Sequence, residues 1–387
     1  MQERFPARWY QHVRLKNRMS ASTPLYDIHV ALGAKMTEFG GWIMPECYGK
    51  IWDEYRAVRG AVGLFDTSHM RAFLIEGADA NAYLQFLTPR NVGTVSGKIQ
   101  YALLTNPSGG TVDDCTIFCE SKERYYVIVN AGNIRKDFAW MGMWAPRFGV
   151  SLQKETSFMG MLALQGPRAQ KVLARCADET AISAMKKYTF RMMQAGGHSV
   201  IISRTGYTGE DGFEILCDQA ALPSLWNVLL AEGGREGILP CGLGARDLLR
   251  LEAWMPLYGH ELDEKHGPIE AKLEWTTDIR KPQPFIGNNA ITDHLLLGTK
   301  ETLIGLRTDG RGAILRCGAK IAHVNGYSVG SVTSGAPYPS GMSLAMAYVK
   351  TNAQLSEGRR VNVLIRNTWH DAIVVPRTFT AQPVIAT

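Results

Sequence analysis

At 387 residues the chain exceeds what one ordinary hydrophobic core organises, and its length implies two or three domains. Its hydrophobic fraction of 45% is that of a globular protein, and no apolar run approaches the roughly 18 residues of a membrane-spanning helix. The net charge of +6 comes without a Lys/Arg block, which argues against a nucleic-acid footprint and leaves room for an anionic substrate or an acidic partner.

The chain opens on a basic stretch in which Arg4, Arg8, Arg14, Lys16 and Arg18 face only Glu3. It lacks an amphipathic run, so it reads as a mobile cytosolic arm over residues 1–22 in preference to a mitochondrial-matrix transit peptide. From Leu25 to Phe65, short helical segments alternate with glycine breaks, and Glu54 to Val62 reads as an exposed helix. Phe73–Gly77 is a strand ending in a turn. Asp79–Leu87 is a helix with Ala80, Tyr83, Leu84 and Leu87 on one face. Tyr101–Asn106 is a strand, Pro107–Gly110 a turn, and Cys115–Phe118 and Tyr125–Val129 a pair of β-branched and aromatic strands. Together they form an α+β unit. Residues 161–230 repeat the mixture, with a helix at Ala169–Ala174, a strand before Ser203 and a helix at Ala221–Ala231. Asp247–Trp254 continues as a helix behind Arg246. Pro282, Pro284 and Gly287 mark a linker. Short strands follow at Thr302–Leu306, Lys320–His323, Ser328–Thr333, Leu344–Val349 and Arg360–Ile365, with a hairpin turn at Asn325-Gly326, so the last hundred residues are all-β.

Three stretches carry candidate chemistry. In Ser203-Arg204-Thr205-Gly206-Tyr207-Thr208-Gly209-Glu210-Asp211-Gly212-Phe213-Glu214, three glycines allow unusual dihedrals or a close approach to the main chain. Tyr207 and Glu214 flank that bend and suit a flat heterocycle with a hydrogen-bonding edge. The ordinary alternative is a turn with a solvated acidic tip. Asp113 and Asp114 follow a glycine turn; in a strand only one of them can look into a given cavity, and an exposed acidic turn is the plain alternative. Arg246 heads a helix, where pairing with Asp247 or Glu252 is the usual role. Asn130 and Trp275 are further candidates with packing as the alternative. Other signals carry no chemistry. Gly326-Tyr327-Ser328-Val329-Gly330 fits G-x-S-x-G but sits in a hairpin rather than a strand–turn–helix. The nine histidines never take an H-x-x-x-H spacing and the seven cysteines are scattered and odd in number, so reduced thiols and no metal site are expected.

The ordered set of Thr23–Asp27, Phe65-Asp66-Thr67-Ser68-His69-Met70, Leu104–Asp114, Ala163-Leu164-Gln165-Gly166-Pro167, the Ser203 loop, Gly244–Ala253 and Val332–Gly335 resembles the T-protein (aminomethyltransferase) family of the glycine cleavage system, across roughly residues 23–375. The resemblance implies an α+β three-domain clover-leaf around a central folate site, with a C-terminal all-β, barrel-like domain. Its domains would be 23–66 plus 164–285, an inserted 67–163, and 286–387. It implies tetrahydrofolate as cofactor, Asp114 as catalytic residue, Glu214 on the pterin, Arg246 on a folate carboxylate, and Tyr207, Asn130 and Trp275 beside the folate. The implied activity moves a one-carbon unit from an aminomethyl-lipoyl H-protein to tetrahydrofolate with release of ammonia, in the cytoplasm. Alternatives on the same fold are a demethylase taking a small methylated sulfonium, ammonium or aryl-ether donor, and a non-catalytic folate-binding protein. Two departures bear on it: the tail Phe379–Val384 offers no folate-contacting tyrosine, and Arg71 follows Met70 where small or uncharged residues are usual.

Overall fold

The computed structural model describes residues 20–154, 156–308, 313–338 and 341–377. The basic N-terminal stretch up to residue 19 and the tail from residue 378 lie outside them, as therefore does the missing tyrosine.

Three sheets and one barrel make up the architecture. A six-stranded sheet runs in the order Phe190–Ala195, His198–Ser203, Gly212–Cys217, Gly160–Gln165, Val62–Asp66 and Ile238–Cys241. Its Val62–Asp66 strand is buried at every position, between an antiparallel neighbour and the parallel Ile238–Cys241 strand. A continuous apolar run is what such a doubly covered strand requires. The five-stranded sheet runs Lys98–Thr105, Thr111–Ser121, Arg124–Val129, Arg71–Glu76, Ser151–Gln153. All its strands fall between Arg71 and Gln153, and those of the six-stranded sheet lie on either side of that stretch in sequence. A small sheet of Ala21–Ser22, Trp42–Cys47 and Lys35–Phe39 completes the N-terminal part.

The two large sheets have separate cores, one around Leu164, Phe213 and Trp226 and the other around Phe73, Tyr83 and Tyr125. A third cluster joins them: Ala72, Phe118, Tyr126 and Ile128 pack on Met161, Phe190, Ile201 and Leu216. Period-two alternation makes this inevitable. Phe213 and Ile215 point to one core, and Leu216 on the other face meets the second sheet. The C-terminal strands Glu301–Thr308, Ser343–Lys350, Ser328–Pro337, Lys320–His323, Arg360–Ile365 and Thr368–Val375 close into a six-stranded barrel. Leu251 and Trp254, at the end of a helix, pack on Leu303, Met346 and Tyr348 of that barrel.

Several expectations need correction. The helix read as exposed over 54–62 spans Ile51–Gly60 and buries Glu54, Tyr55 and Val58, and Val62 already belongs to a strand. The helix read from Asp247 starts at Leu243, so Arg246 lies inside its first turns, and Trp254 sits beyond its end at φ 58°. Lys35–Cys47 is a hairpin, turned by Gly40 and Gly41 at φ 58° and 85°, where helical segments were expected. The linker at Pro282–Gly287 leads into an unforeseen helix, Asn288–Leu297, and the sixth barrel strand, Thr368–Val375, was also unforeseen.

Candidate functional site

Where the two large sheets, the Leu243–Glu252 helix and the segment after it converge, a cavity of about 470 Å³ opens. Sites for ligands of small-molecule size span roughly 300–1,000 Å³. Asp114, Asn130, Tyr207, Glu214, Arg246 and Trp275 all line it.

Asp113 and Asp114 lie on the Thr111–Ser121 strand and divide as alternation requires: Asp113 is fully buried and Asp114 lines the cavity. The two are nevertheless bound together. Asn130 Nδ2 donates to Asp114 Oδ1 at 2.8 Å and to Asp113 Oδ1 at 3.0 Å, while Asn133 Nδ2 donates to Asp113 at 2.7 Å. Tyr101, on the neighbouring strand, donates its hydroxyl to Asp114 Oδ2 at 3.0 Å. Burial, and then the Asp113 charge beside it, push the Asp114 carboxyl up to about 7. A side chain so placed can hold or release a proton near neutral pH.

Glu214 stands on the Gly212–Cys217 strand opposite Ser203. Its Oε2 accepts the Thr205 hydroxyl at 2.6 Å. The carboxylate keeps further acceptor capacity toward the cavity, since an ionised carboxylate has about four lone-pair sites. The loop glycines serve packing. A Cβ on Gly206 would stand 1.9 Å from Gln165 Oε1, and one on Gly212 would stand 2.5 Å from the Leu164 carbonyl. Buried Gln165 in turn donates to the Thr205 carbonyl and accepts from Thr208, which pins the loop to the sheet. Gly209, at φ 82°, makes the reversal.

Arg246 does not take the ordinary helix pairing. Asp247 accepts from Arg250, and Glu252 from Arg59 and Tyr55. The Arg246 guanidinium instead lies over the Tyr207 ring, 4.8 Å from its centre, and Nη1 is buried without a hydrogen-bond partner among the described residues. A buried, unpaired guanidinium nitrogen is costly unless something fills the cavity beside it. Tyr207 donates its hydroxyl to the Pro256 carbonyl, which ties the Ser203–Gly212 loop to the wall formed by Met255–Gly259. Trp275 stacks on Tyr101 with ring centres 5.7 Å apart and carries Arg90 over its face.

Sequence reasoning missed His69, Tyr101, Tyr188 and Tyr258 as lining residues. Tyr101 is legible only as part of a strand; its place diagonal to Asp114 follows from a register, Leu103 opposite Asp114, that the structure supplies. His69 lay within a motif already singled out, but only its surroundings give it meaning. Arg71, the unusual residue after it, turns away to the Ser68 and Met70 carbonyls and stacks on Trp42.

Residues 25–281 match the family model described as the GCVT N-terminal domain, and residues 302–380 that of the glycine cleavage T-protein C-terminal barrel domain. The chain is 39% identical over 374 residues to an aminomethyltransferase of Symbiobacterium thermophilum, covering 95% of this chain and 99% of that one. It is 42% identical to one from Moorella thermoacetica, covering 93% and 98%. Among solved structures, glycine cleavage system aminomethyltransferase T from Bartonella henselae superposes with a TM-score of 0.86 at 32% identity, covering 94% of this chain and 99% of that one. Fold, cavity and relatives together define a transferase. Within that class the chain belongs to the glycine cleavage T-protein family.

Proposed function

We propose that the chain is a tetrahydrofolate-dependent aminomethyltransferase that takes its one-carbon unit from an aminomethyl-lipoyl carrier, the H-protein, and releases ammonia. The observation that carries this reading is the meeting, in one cavity, of a carboxyl poised near pH 7, an acceptor carboxylate and an unpaired guanidinium. A folate fits that set. Glu214 would accept from the amide–amidine edge of the pterin, Tyr207 and Trp275 would border the flat rings, and Arg246 Nη1 would take a folate carboxylate. Bound tetrahydrofolate supplies the nucleophilic nitrogen that takes up the carbon. Asp114, whose orientation Tyr101 and Asn130 fix, would hold a proton for that nitrogen or steady positive charge developing on it. We also propose that residues 23–66 and 164–285 form one discontinuous folate-binding domain interrupted by 67–163, that 286–387 form the barrel domain, and that the protein works in the cytoplasm.

The test is an assay with tetrahydrofolate and either aminomethylated H-protein or a panel of methylated small molecules. Ammonia and methylenetetrahydrofolate from the carrier are expected. Methyltetrahydrofolate from a small donor, with no response to the carrier, would overturn the reading in favour of a demethylase. For the pterin contact, Glu214→Ala should raise the tetrahydrofolate Kd about 5- to 150-fold, equivalent to about 1–3 kcal/mol for donors left unpaired. Calorimetry giving an unchanged Kd in a folded variant would take Glu214 out of the site.

A further inference from the structure

His69 is 3% exposed, lines the cavity, and makes no hydrogen bond to any described residue. Its Nδ1 is buried without a hydrogen-bond partner among the described residues. An orphaned N–H there would cost more than an orphaned lone pair, so the proton of the neutral ring belongs on Nε2, the nitrogen left to face the cavity. Burial, with Arg246 and Arg71 nearby, holds the imidazole down to about 4, so it is uncharged at neutral pH. The result is a neutral N–H donor that no described residue uses.

Its position bears on what it meets. His69 lines the cavity together with Phe39, on which its ring packs, and with Gly40, Met70 and Gly132. Phe39 meets the imidazole edge-on at 5.7 Å and is itself 36% exposed, so the cavity reaches the surface beside His69, as it also does at Tyr188 and Trp275. A carrier protein too large to enter must deliver its arm through an opening of that kind. Met70, next in the chain, offers a polarisable thioether suited to a sulfur-bearing arm.

We infer that His69 donates a hydrogen bond through Nε2 to the sulfur of the one-carbon donor and stabilises it as a leaving group. This rests on the proposed aminomethyl transfer. In that reaction the transferred carbon gains bonds to two nitrogens of the acceptor while its bonds to sulfur and to the amino group break. The electron pair of the first stays on sulfur as a thiolate. The amino group leaves as ammonia with one of the two protons the acceptor nitrogens give up, the other passing to solvent. The proton stays on Nε2 throughout, and the thiolate takes its own proton afterwards from solvent. A donor aimed at charge that develops only in the transition state raises kcat more than affinity.

Three variants of the full chain, assayed with aminomethylated H-protein, decide the matter. His69→Phe keeps a ring against Phe39 and should lower kcat about 100-fold, with the tetrahydrofolate Kd by calorimetry within about twofold of wild type. His69→Gln carries an amide N–H at the reach of Nε2 and should stay within about tenfold of wild type. His69→Asn reaches only the Nδ1 position and should be as slow as His69→Phe, so the Gln and Asn pair decides even if the Phe variant does not fold. Unchanged kcat in His69→Phe, or a Gln variant no better than Asn, overturns the assignment. A wild type that binds tetrahydrofolate but ignores the carrier overturns the aminomethyl-transfer reading and this assignment with it. Wild-type turnover matched by His69→Phe overturns only the role of His69.

Discussion

Asp114→Asn should lower kcat by two or more orders of magnitude while tetrahydrofolate still binds, because the substitution keeps the shape and removes the titrating group. The same variant should be no less stable at pH 8. An unfolded aspartate releases its proton near pH 3.9, whereas Asp114 in the folded chain keeps it up to about 7. Between those values the folded state binds more protons than the unfolded one. Stability contributed by this group is therefore lost as pH rises through that window, and the cost is complete above about pH 7. Asparagine cannot ionise, so the cost disappears. Loss of turnover with an undiminished melting temperature at pH 8 is the expected pair of results; a variant of normal activity would remove Asp114 from the chemistry. Asp113→Asn supplies the complementary test. Its charge is the second cause of the Asp114 shift, after burial. Removing it should move any inflection near 7 in the pH–rate profile toward lower pH, and a profile that stays put would uncouple the two groups.

The legible part of this molecule was local. Strands such as Tyr125–Val129 and helices such as Ala80–Leu87 show in the sequence because their periodicity is set by one buried face. Asp114, Glu214 and Arg246 stand out because motifs surround them. That they share one cavity with Asn130, Tyr207 and Trp275 depends on how two sheets and a helix meet, which no local pattern encodes. The misses follow the same division. Lys-Met-Thr-Glu-Phe does not alternate cleanly, so its strand is fixed by pairing with Trp42–Cys47 rather than by its own residues. Thr368–Val375 begins with Thr-Trp-His-Asp and earns its place by pairing with both Arg360–Ile365 and Glu301–Thr308 to close the barrel. The glycines of the Ser203 loop point, in the sequence, to unusual dihedrals or a close approach to the main chain. What comes close is the protein's own Gln165, a contact no sequence window of that loop contains.

The second large effect concerns the strut behind the cavity wall. Arg250, 1% exposed, donates to fully buried Glu261 at 2.9 Å, to Ser334 of the barrel at 2.8 Å and to the Met255 carbonyl at 3.3 Å. Glu261 also accepts from Leu257 N and from the Thr333 hydroxyl. The pair thus joins helix, wall segment and barrel at one point. Arg250→Met should cost about 3–5 kcal/mol, because it strands a carboxylate that has no access to water. The loss would be read as a fall in the denaturation midpoint, and a loss below about 1 kcal/mol would show that the pair carries no such strain. Arg250→Met combined with Glu261→Leu should recover most of the stability, since a buried ion pair replaced by apolar groups of similar volume is often neutral or better. Affinity should behave differently. The wall residues Met255–Gly259 hang on the polar contacts of this pair, and Pro256 receives the Tyr207 hydroxyl. The double variant should therefore refold well and still bind tetrahydrofolate more weakly than wild type, because apolar packing restores the strut's energy without restoring the hydrogen bonds that aim the wall. Full recovery of both stability and affinity would show that packing alone positions the site.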